Sequence, residues 1–362
     1  MMESAPAPVS RLALSVLDLV PVSHGQSTAD AVASSIALAR CADALGYRRY
    51  WFAEHHNMAS VASTTPPIMI GLTAASTTRI RVGSGGVMLP NHAPLVVAEQ
   101  FAALEAGAPG RIDLGIGRAP GSDQVVSALL RQSGTTTDVE RFPQHVRDII
   151  ALLSADGAEL DLGGGRTYEI RATPSAAGTP EVWLLGSSDY SATVAAQMGL
   201  PYVFAHHFSG EGTERALDIY RTRFTPGEHL AEPRTFLTVN ACVADTEAEA
   251  EARALPNLIQ MSRLRTGRPL TALDRVEEAA MVPLDAMQEQ IIASMRKRWI
   301  IGEAAAAAAQ VRELAAHFGV DEVMISAGAG LRIDEPADSS AGRRRTLELL
   351  AAELMAEAAV PA

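Results

Sequence analysis

Two histidine pairs stand where short apolar runs of the sequence end. Glu54, His55 and His56 follow one such run, and His206 and His207 follow another. An imidazole exchanges a proton near neutral pH, so these side chains are candidates for acid–base chemistry. Imidazole and carboxylate groups are also ligands that zinc prefers. One histidine alone is more often packed or solvated, and it is the repetition at the ends of apolar runs that indicates a site.

A second group of residues could hold a phosphate. Ser187 and Ser188 directly precede a predicted helix, whose first N–H groups and dipole favour an anion. Arg118, at the end of another apolar run, could add a charge-assisted hydrogen bond. Ser188 could instead only cap its helix, as serines do without any ligand. From the residues alone, both interpretations of Ser188 stay open.

These residues need a scaffold that gathers them from distant parts of the chain. Short apolar runs alternate with longer amphipathic stretches, which predicts strands separated by helices. The eight predicted strands are residues 12–17, 49–53, 80–84, 111–116, 182–185, 202–205, 235–244 and 322–326. This number favours a closed (β/α)8 TIM barrel, an α/β fold in which the C-terminal ends of all strands meet at one mouth. Because the candidate residues follow strands, we expect them to share that mouth.

Two stretches interrupt the alternation. Residues 156–180, which contain three consecutive glycines, predict a surface hairpin after the fourth helix. Residues 256–300 predict a longer insertion after the seventh strand, and it is a candidate for a lid. The fourth and the last helices are predicted at 138–154 and 339–359. We expect all of these elements to belong to a single domain that spans residues 1–362.

Composition narrows the classes of function. The chain has 42 acidic and 30 basic side chains and a net charge of −12, so it would repel a nucleic-acid backbone. Its only lysine is Lys297, which leaves no suitable lysine for a P-loop or for a pyridoxal phosphate Schiff base. Residues 1–8 lack a secretory signal pattern and no apolar run is long enough to cross a membrane, so a cytoplasmic location is expected.

Three segments, taken in order, resemble the bacterial luciferase-like flavin monooxygenases. They are Trp51–His56, Val82–Pro90 and Gly115–Arg118, and the similarity extends over roughly residues 11–355. Within that family the chain looks most like a branch that includes monooxygenases of aromatic polyketide antibiotic pathways. It departs from the luciferase pattern at two positions. Gly117 stands where luciferase has a reactive cysteine, and Gly186 replaces an acidic residue.

The resemblance implies a barrel that binds reduced FMN, reacts it with O2 to a C4a-hydroperoxide and passes one oxygen atom to a small organic substrate. His55 then matches the catalytic histidine, Arg118 and Ser187 match phosphate contacts, and Gly85–Gly86 matches a non-proline cis peptide facing the flavin ring. A separate NAD(P)H-dependent flavin reductase would supply the cofactor, relatives often form homodimers, and no metal is implied. The other strand-end side chains are candidates for the substrate pocket: Glu54, His56, His206 and His207.

Three alternative functions stay open. The sequence barely separates an FMN enzyme from an F420-dependent oxidoreductase of the same fold. A metal-dependent hydrolase could use the strand-end histidines as zinc ligands, although neighbouring side chains of a strand point to opposite faces. A noncatalytic flavin-binding protein on the same barrel would bind the cofactor without oxygenating a substrate.

Overall fold

The strands and helices alternate along the chain as the sequence predicts. The structure, a computed structural model, describes residues 12–122, 124–131, 139–208 and 210–355. Residues 1–8, for which no secretory signal is predicted, lie outside the described residues. The strands are β1 (Ala13–Asp18), β2 (Arg49–Phe52), β3 (Arg81–Ser84), β4 (Val87–Met88), β5 (Ile112–Gly117), β6 (Ala158–Asp161), β7 (Thr167–Ile170), β8 (Glu181–Gly186), β9 (Tyr202–Phe204), β10 (Thr235–Ala244), β11 (Ile300–Glu303) and β12 (Glu322–Ala327). The α-helices are α1 (Thr28–Leu45), α2 (Pro66–Ala74), α3 (Pro94–Gly107), α4 (Gln124–Arg131), α5 (Phe142–Leu153), α6 (Asp189–Gln197), α7 (Thr213–Thr222), α8 (Glu247–Arg265), α9 (Val276–Ala279), α10 (Ala286–Arg296), α11 (Ala304–Phe318) and α12 (Ala341–Leu354).

Eight of the strands close into a parallel barrel. Their order around the ring is β1, β2, β3, β5, β8, β9, β10 and β12, and β12 pairs with β1 to complete it. The predicted TIM barrel is therefore confirmed. Two short strands have no counterpart in the prediction, because β4 spans only two residues and β11 runs directly into α11. They pair with β5 and with the second half of β10, respectively.

The two interruptions of the alternation have different structures. Residues 156–180 contain the antiparallel hairpin of β6 and β7, whereas residues 256–300 contain α9, α10 and the second half of α8. Helix α8 begins well before this range and continues through Pro256. A proline removes one hydrogen bond from a helix, and here its ring packs closely on Gly330, where a Cβ would lie 2.7 Å from Pro256 Cγ. The proline therefore does not mark the start of the insertion.

Other helix boundaries also differ from the prediction. Helix α4 lies in a stretch rich in small polar residues, and its eight residues give too short a pattern to detect. Helix α5 begins with a proline in its first turn, after the predicted start, and Asp138 lies outside the described residues. Helix α12 is shorter than predicted, and residues 356–359 lie outside the described residues. Within the described ranges, no helix has the length and apolar character needed to cross a membrane.

Charged side chains fill the closed end of the barrel. Alternate residues of a strand point inward, and Arg49, Asp113 and Glu322 lie inward near the starts of β2, β5 and β12. Arg49 donates from Nε to Glu322 Oε1 at 2.7 Å and from Nη1 to Asp113 Oδ2 at 2.9 Å. All three residues are buried. Burial alone would lower the pKa of Arg49, but the two carboxylates hold this pKa above its ordinary value, so the guanidinium stays charged.

An aromatic layer lies above this charged layer. The rings of Trp51, Trp183 and Phe236 contact one another at centroid distances of 5.1 to 5.6 Å, and the Arg49 guanidinium lies 4.7 Å from the centroid of Trp183. Gly83 makes room for this layer, since a Cβ there would lie 2.7 Å from Trp51 Nε1. Together the two layers close one end of the barrel. A ligand must therefore enter from the other end.

A buried ion pair joins the last helix to the first strand. Arg343 of α12 donates from Nη2 to Asp18 Oδ1 at 2.5 Å, and the Tyr50 hydroxyl donates to the other carboxylate oxygen. The side chains of Asp18 and Arg343 are almost fully buried. With the pairing of β1 and β12, this contact fixes the seam at which the barrel closes.

Replacing Arg49 with methionine should destabilise the fold strongly, because Asp113 and Glu322 stay buried with less compensation. Removing one partner of a buried ion pair costs about 3 to 5 kcal/mol, against about 0.5 kcal/mol for an exposed pair on one helix. The matched control is Arg344→Met, which breaks the exposed pair of Arg344 with Glu348. Urea denaturation followed by circular dichroism measures the free energy of unfolding. Similar losses in the two variants would contradict the structural role given to the charged layer.

Candidate active site

A cavity of about 640 Å³ opens at the end of the barrel where the strands finish. Trp51 of the aromatic layer lines it, and its volume lies within the range of about 300 to 1,000 Å³ typical of small-molecule sites. Most of the residues predicted from the sequence line this cavity: His55, Gly85, Gly86, Arg118, Ser187, Ser188, His206 and His207. The barrel thus brings together residues that follow five different strands.

Two of the predicted pocket residues, Glu54 and His56, do not line the cavity. Strand residues alternate in direction, so the neighbours of His55 point away from the interior. The fully buried Glu54 accepts a hydrogen bond from the Met88 backbone N–H, and its Oε1 lies 2.8 Å from Nε2 of both His56 and His92. Burial would raise the pKa of Glu54, but these hydrogen bonds lower it to about 2. The expectation for Glu54 and His56 is therefore corrected: they join the segments that follow β2 and β3.

The His55 imidazole has a buried ring nitrogen that no described residue contacts through a hydrogen bond. Its backbone N–H donates to the Ser63 carbonyl at 3.0 Å, whereas its Nδ1 is buried and makes no hydrogen bond within the described residues. Burial lowers the pKa of His55 below its ordinary value, although the charge of Glu54 opposes this effect. The imidazole is therefore neutral near neutral pH, and the His55 side chain lines the cavity.

The second histidine pair is positioned by threonines. Nδ1 of His207 lies 2.9 Å from Oγ1 of Thr238, and Nδ1 of His206 lies 2.9 Å from Oγ1 of Thr213. Burial, with the neighbouring His55 and His206, lowers the pKa of His207 to about 4. Histidines that follow β2 and β9 are thus close enough for the charge of one to affect the other. His55 and His207 are therefore both neutral near neutral pH.

The segment after β3 offers a bare backbone surface to the cavity. The Gly85–Gly86 peptide bond is cis, as the resemblance implies. A Cβ on Gly86 would lie 2.9 Å from the carbonyl oxygen of Gly115, and one on Gly85 would lie 2.8 Å from Leu17 Cδ1. Glycine is therefore required at Gly86, where the clash is with backbone, whereas at Gly85 the leucine side chain could move. With no side chain at either position, a flat ligand can approach this wall closely.

An anion-binding corner, formed by Arg118, Ser187, Ser188 and the start of α6, lies where β5 and β8 end. Ser188 is the N-cap of α6, but its side chain makes no capping hydrogen bond, so capping alone does not explain it. The Arg118 guanidinium lies 4.2 Å from the ring centroid of Tyr190 and forms no ion pair within the described part of the chain. The corner combines two hydroxyls, helix N–H groups and a guanidinium. These are the donors that bind a phosphate.

The two departures from the luciferase pattern both lie in the cavity wall. A Cβ on Gly186 would lie 2.1 Å from Ser191 Oγ, so this backbone has no space for an acidic side chain there. A Cβ on Gly117 would lie 3.1 Å from Met88 Sδ, the flexible end of a methionine. The anion-binding corner consequently has no carboxylate at position 186.

The insertion between β10 and β11 forms a cap at the mouth of the cavity. Met261, Leu264 and Trp299 of this cap line the cavity with apolar surface. Gln260 holds the cap on the barrel by donating from Nε2 to Ser60 Oγ at 2.9 Å. The cap thus occupies the place expected of a lid, and its opening and closing stay a prediction.

Several polar residues of the cavity wall have no counterpart in the sequence reasoning: Asp18, Asn240, Arg265, Arg298 and Arg343. The strand period could have indicated Asn240, which follows the inward residues Phe236 and Thr238 of β10. The cap arginines follow no strand, and only the fold of the cap determines which of them face the cavity.

The zinc alternative gains no support from this geometry. The strand-end side chains that it requires are divided between the cavity wall and the packing around Glu54, so they do not share one centre. In the part of the chain that the structure describes, the group close enough to share a metal ion is His24, Asp274 and Glu278. None of these three lines the cavity.

Comparison with known proteins places the chain in one family. The profile of the luciferase-like monooxygenases matches residues 13–322. A luciferase-like monooxygenase of Escherichia coli (strain K12) is 45% identical over 240 residues, which are 66% of this chain and 69% of that protein. The N-acetyl-S-alkylcysteine monooxygenase of Bacillus subtilis (strain 168) is 32% identical over 318 residues, which are 86% of this chain and 91% of that protein.

A solved structure agrees with these sequence matches. The structure of apo-MsnO8 superposes with a TM-score of 0.80 at 33% identity, and the match covers 96% of this chain and 98% of that chain. Fold, sequence and the arrangement of the cavity therefore lead to the same assignment. The chain belongs to the luciferase-like monooxygenase family.

Proposed function

We propose that the protein uses reduced FMN and O2, through a C4a-hydroperoxide, to oxygenate a small organic substrate, with a role in secondary metabolism. One oxygen atom goes to the substrate, the other leaves as water, and the reduced flavin supplies two electrons. The observation that carries this proposal is that one cavity is lined by the anion-binding corner, by the Gly85–Gly86 backbone and by the neutral His55. A flavin needs such groups for its phosphate, its ring and its oxygen chemistry.

The residues present fit FMN. Arg118, Ser187, Ser188 and the start of α6 would hold its phosphate, and the Gly85–Gly86 step would lie against its ring. The cavity also has the size of a small-molecule site. F420 carries a ring and a phosphate too, so the affinities for the two cofactors must be compared directly.

His55 is the proposed acid–base residue. It lines the cavity, its backbone N–H is bound to the Ser63 carbonyl, and its imidazole is neutral near neutral pH. Such a group can accept a proton from the bound reactants or return one. His207 shares this space, but its Nδ1 already contacts Thr238. His55 is therefore the better placed of the two.

The apolar parts of the wall would protect the oxygen chemistry from water. Trp51 lies at the closed end, and Leu264 and Trp299 of the cap line the open end. Excluding water prevents the loss of a reactive intermediate by hydrolysis or stray proton transfer. The cap would therefore keep water away from the reaction in addition to contacting the substrate.

The proposal includes two partners. A separate NAD(P)H-dependent reductase would supply reduced flavin.

A homodimer would cover part of the outer face of α2 and α3, where Ile68, Leu72 and Val96 are 60%, 45% and 46% exposed. Apolar side chains grouped on neighbouring helices are typical of a protein contact. A cytoplasmic location is likewise proposed.

The proposed function is tested by anaerobic titration of the protein with reduced FMN and with reduced F420. Each complex is then mixed with ¹⁸O2 and a panel of a thioether, a long-chain aldehyde and a fused-ring ketone. We expect tighter binding of FMN and one labelled oxygen atom in a product, measured by mass spectrometry. Reaction that depends on F420 instead, or FMN binding without any labelled product, would contradict the proposal. The second result would indicate a noncatalytic flavin-binding protein.

Replacing His55 with alanine should slow product formation by about 100-fold or more, the range seen for general acid–base groups, and should leave the dissociation constant of FMN unchanged. Stopped-flow kinetics measures the first quantity and fluorescence titration the second. The matched control is His56→Gln, which lies outside the cavity wall and keeps a donor for Glu54. Equal product yields from His55→Ala and the control would remove His55 from the mechanism.

Replacing Arg118 with methionine should weaken FMN binding by about tenfold or more, because a charge-assisted hydrogen bond to the phosphate is lost. Riboflavin, which has no phosphate, should bind both proteins alike. Arg147→Met, on the exposed face of α5, is the matched control. An unchanged dissociation constant for FMN would show that the phosphate lies elsewhere.

A further inference from the structure

The wall of the cavity carries excess positive charge, although the protein is acidic. Among the described residues, the charged side chains that line the cavity are four arginines and one carboxylate: Arg118, Arg265, Arg298, Arg343 and Asp18. Asp18 is fully buried in its ion pair with Arg343, so these two charges cancel. The other three arginines form no ion pair with the described residues, in a chain whose net charge is −12. Charges that line a cleft attract ligands of the opposite sign, so this wall favours anions.

Two of these arginines belong to the cap. Arg265 ends α8 and donates from Nη2 to the Phe208 carbonyl at 2.7 Å. Arg298 follows α10 and packs against the same loop, where a Cβ on Gly210 would lie 3.5 Å from Arg298 Cδ. Neither guanidinium forms an ion pair within the described ranges. The cap pair thus faces the loop after β9, whereas Arg118 stacks on Tyr190 of α6.

The two cap arginines are close enough to repel each other. Burial and the charge of Arg298 lower the pKa of Arg265, and burial and Arg298 also lower the pKa of His206. The charge of Glu211 opposes this effect on Arg265. Like charges that lie close together repel each other, and a bound anion would offset the repulsion. A single phosphate at the anion-binding corner, held by Arg118, leaves this second positive group without a ligand.

We propose that Arg265 and Arg298 bind the carboxylate of an anionic substrate. This inference rests on the proposed function, in which Arg118 and the start of α6 hold the flavin phosphate. A guanidinium binds a carboxylate through two parallel N–H donors, and the Arg298 side chain makes no hydrogen bond with the described residues that would compete. Leu264 and Trp299 line the cavity from the same cap and would contact an apolar group. The substrate class is therefore a small organic acid that carries an apolar group.

The test measures equilibrium binding and does not require turnover. The probes are N-acetyl-S-ethylcysteine, which is a carboxylate, and its amide, which has nearly the same shape without the charge. Isothermal titration calorimetry gives their dissociation constants for the wild type and for Arg265→Met/Arg298→Met. We expect the wild type to bind the acid about tenfold or more tightly than the amide, as charge-assisted hydrogen bonds predict. The double variant should lose this preference and keep its affinity for the amide and for FMN.

Two further variants control for charge and for folding. Lys297→Met removes a positive charge next to Arg298 that does not line the cavity, and it should leave the preference for the acid unchanged. Arg298→Met removes no side-chain hydrogen bond within the described residues, so it tests the proposal even where the double variant folds poorly. It should lose most of the preference on its own.

A wild-type protein that does not prefer the acid overturns the proposal, whether it binds both probes or neither. A double variant whose affinity for FMN or F420 falls as that of Arg118→Met does also overturns it, because the two arginines then serve the cofactor. Arginine-dependent binding of the acid without any oxygenation by reduced FMN would defeat the proposed function and support this inference. The two failures are therefore distinguishable.

Discussion

The barrel depends on the Arg49 guanidinium, which lies between two buried carboxylates from strands that stand opposite each other in the ring. Asp113 on β5 and Glu322 on β12 both accept hydrogen bonds from it. This contact determines which face of β2 points inward. Because strand residues alternate, Trp51 then lies in the aromatic layer and His55 at the mouth. A slip of one residue would reverse every one of these directions and would place Glu54 in the cavity.

The cavity wall has positive charge at Arg118 and at the cap arginines, and a neutral region at His55 and His207. The neutral region owes its character to burial, which lowers the pKa of His55 and of His207. Protonated histidines would add to the charge of the arginines already present. Keeping the imidazoles neutral leaves the positive charge at Arg118 and at the cap. The positive charge of the wall is thus carried by arginines, whereas His55 and His207 stay neutral.

Much of the fold and part of the site could be predicted from the sequence. The eight barrel strands have clear apolar runs, and polar residues after a parallel strand share one mouth by geometry. The same alternation would have excluded Glu54 and His56 had it been applied to the extended segment after β2 that carries His55. Arg265 and Arg298 could not be predicted, because the packing of the cap decides their direction. Likewise β4 and α4 are too short to have a period of their own.

The seam between β1 and β12 has a consequence for biosynthesis. The ion pair of Asp18 with Arg343 joins residues that are 325 positions apart, and the hydrogen bond of Ser15 with Glu322 spans 307 positions. At translation rates of about 5 to 20 residues per second, the first strand leaves the ribosome roughly 15 to 60 s before its last neighbour is made. During that interval one edge of β1 lacks its partner strand. Ring closure is consequently a late event, which must wait until β12 has been synthesised.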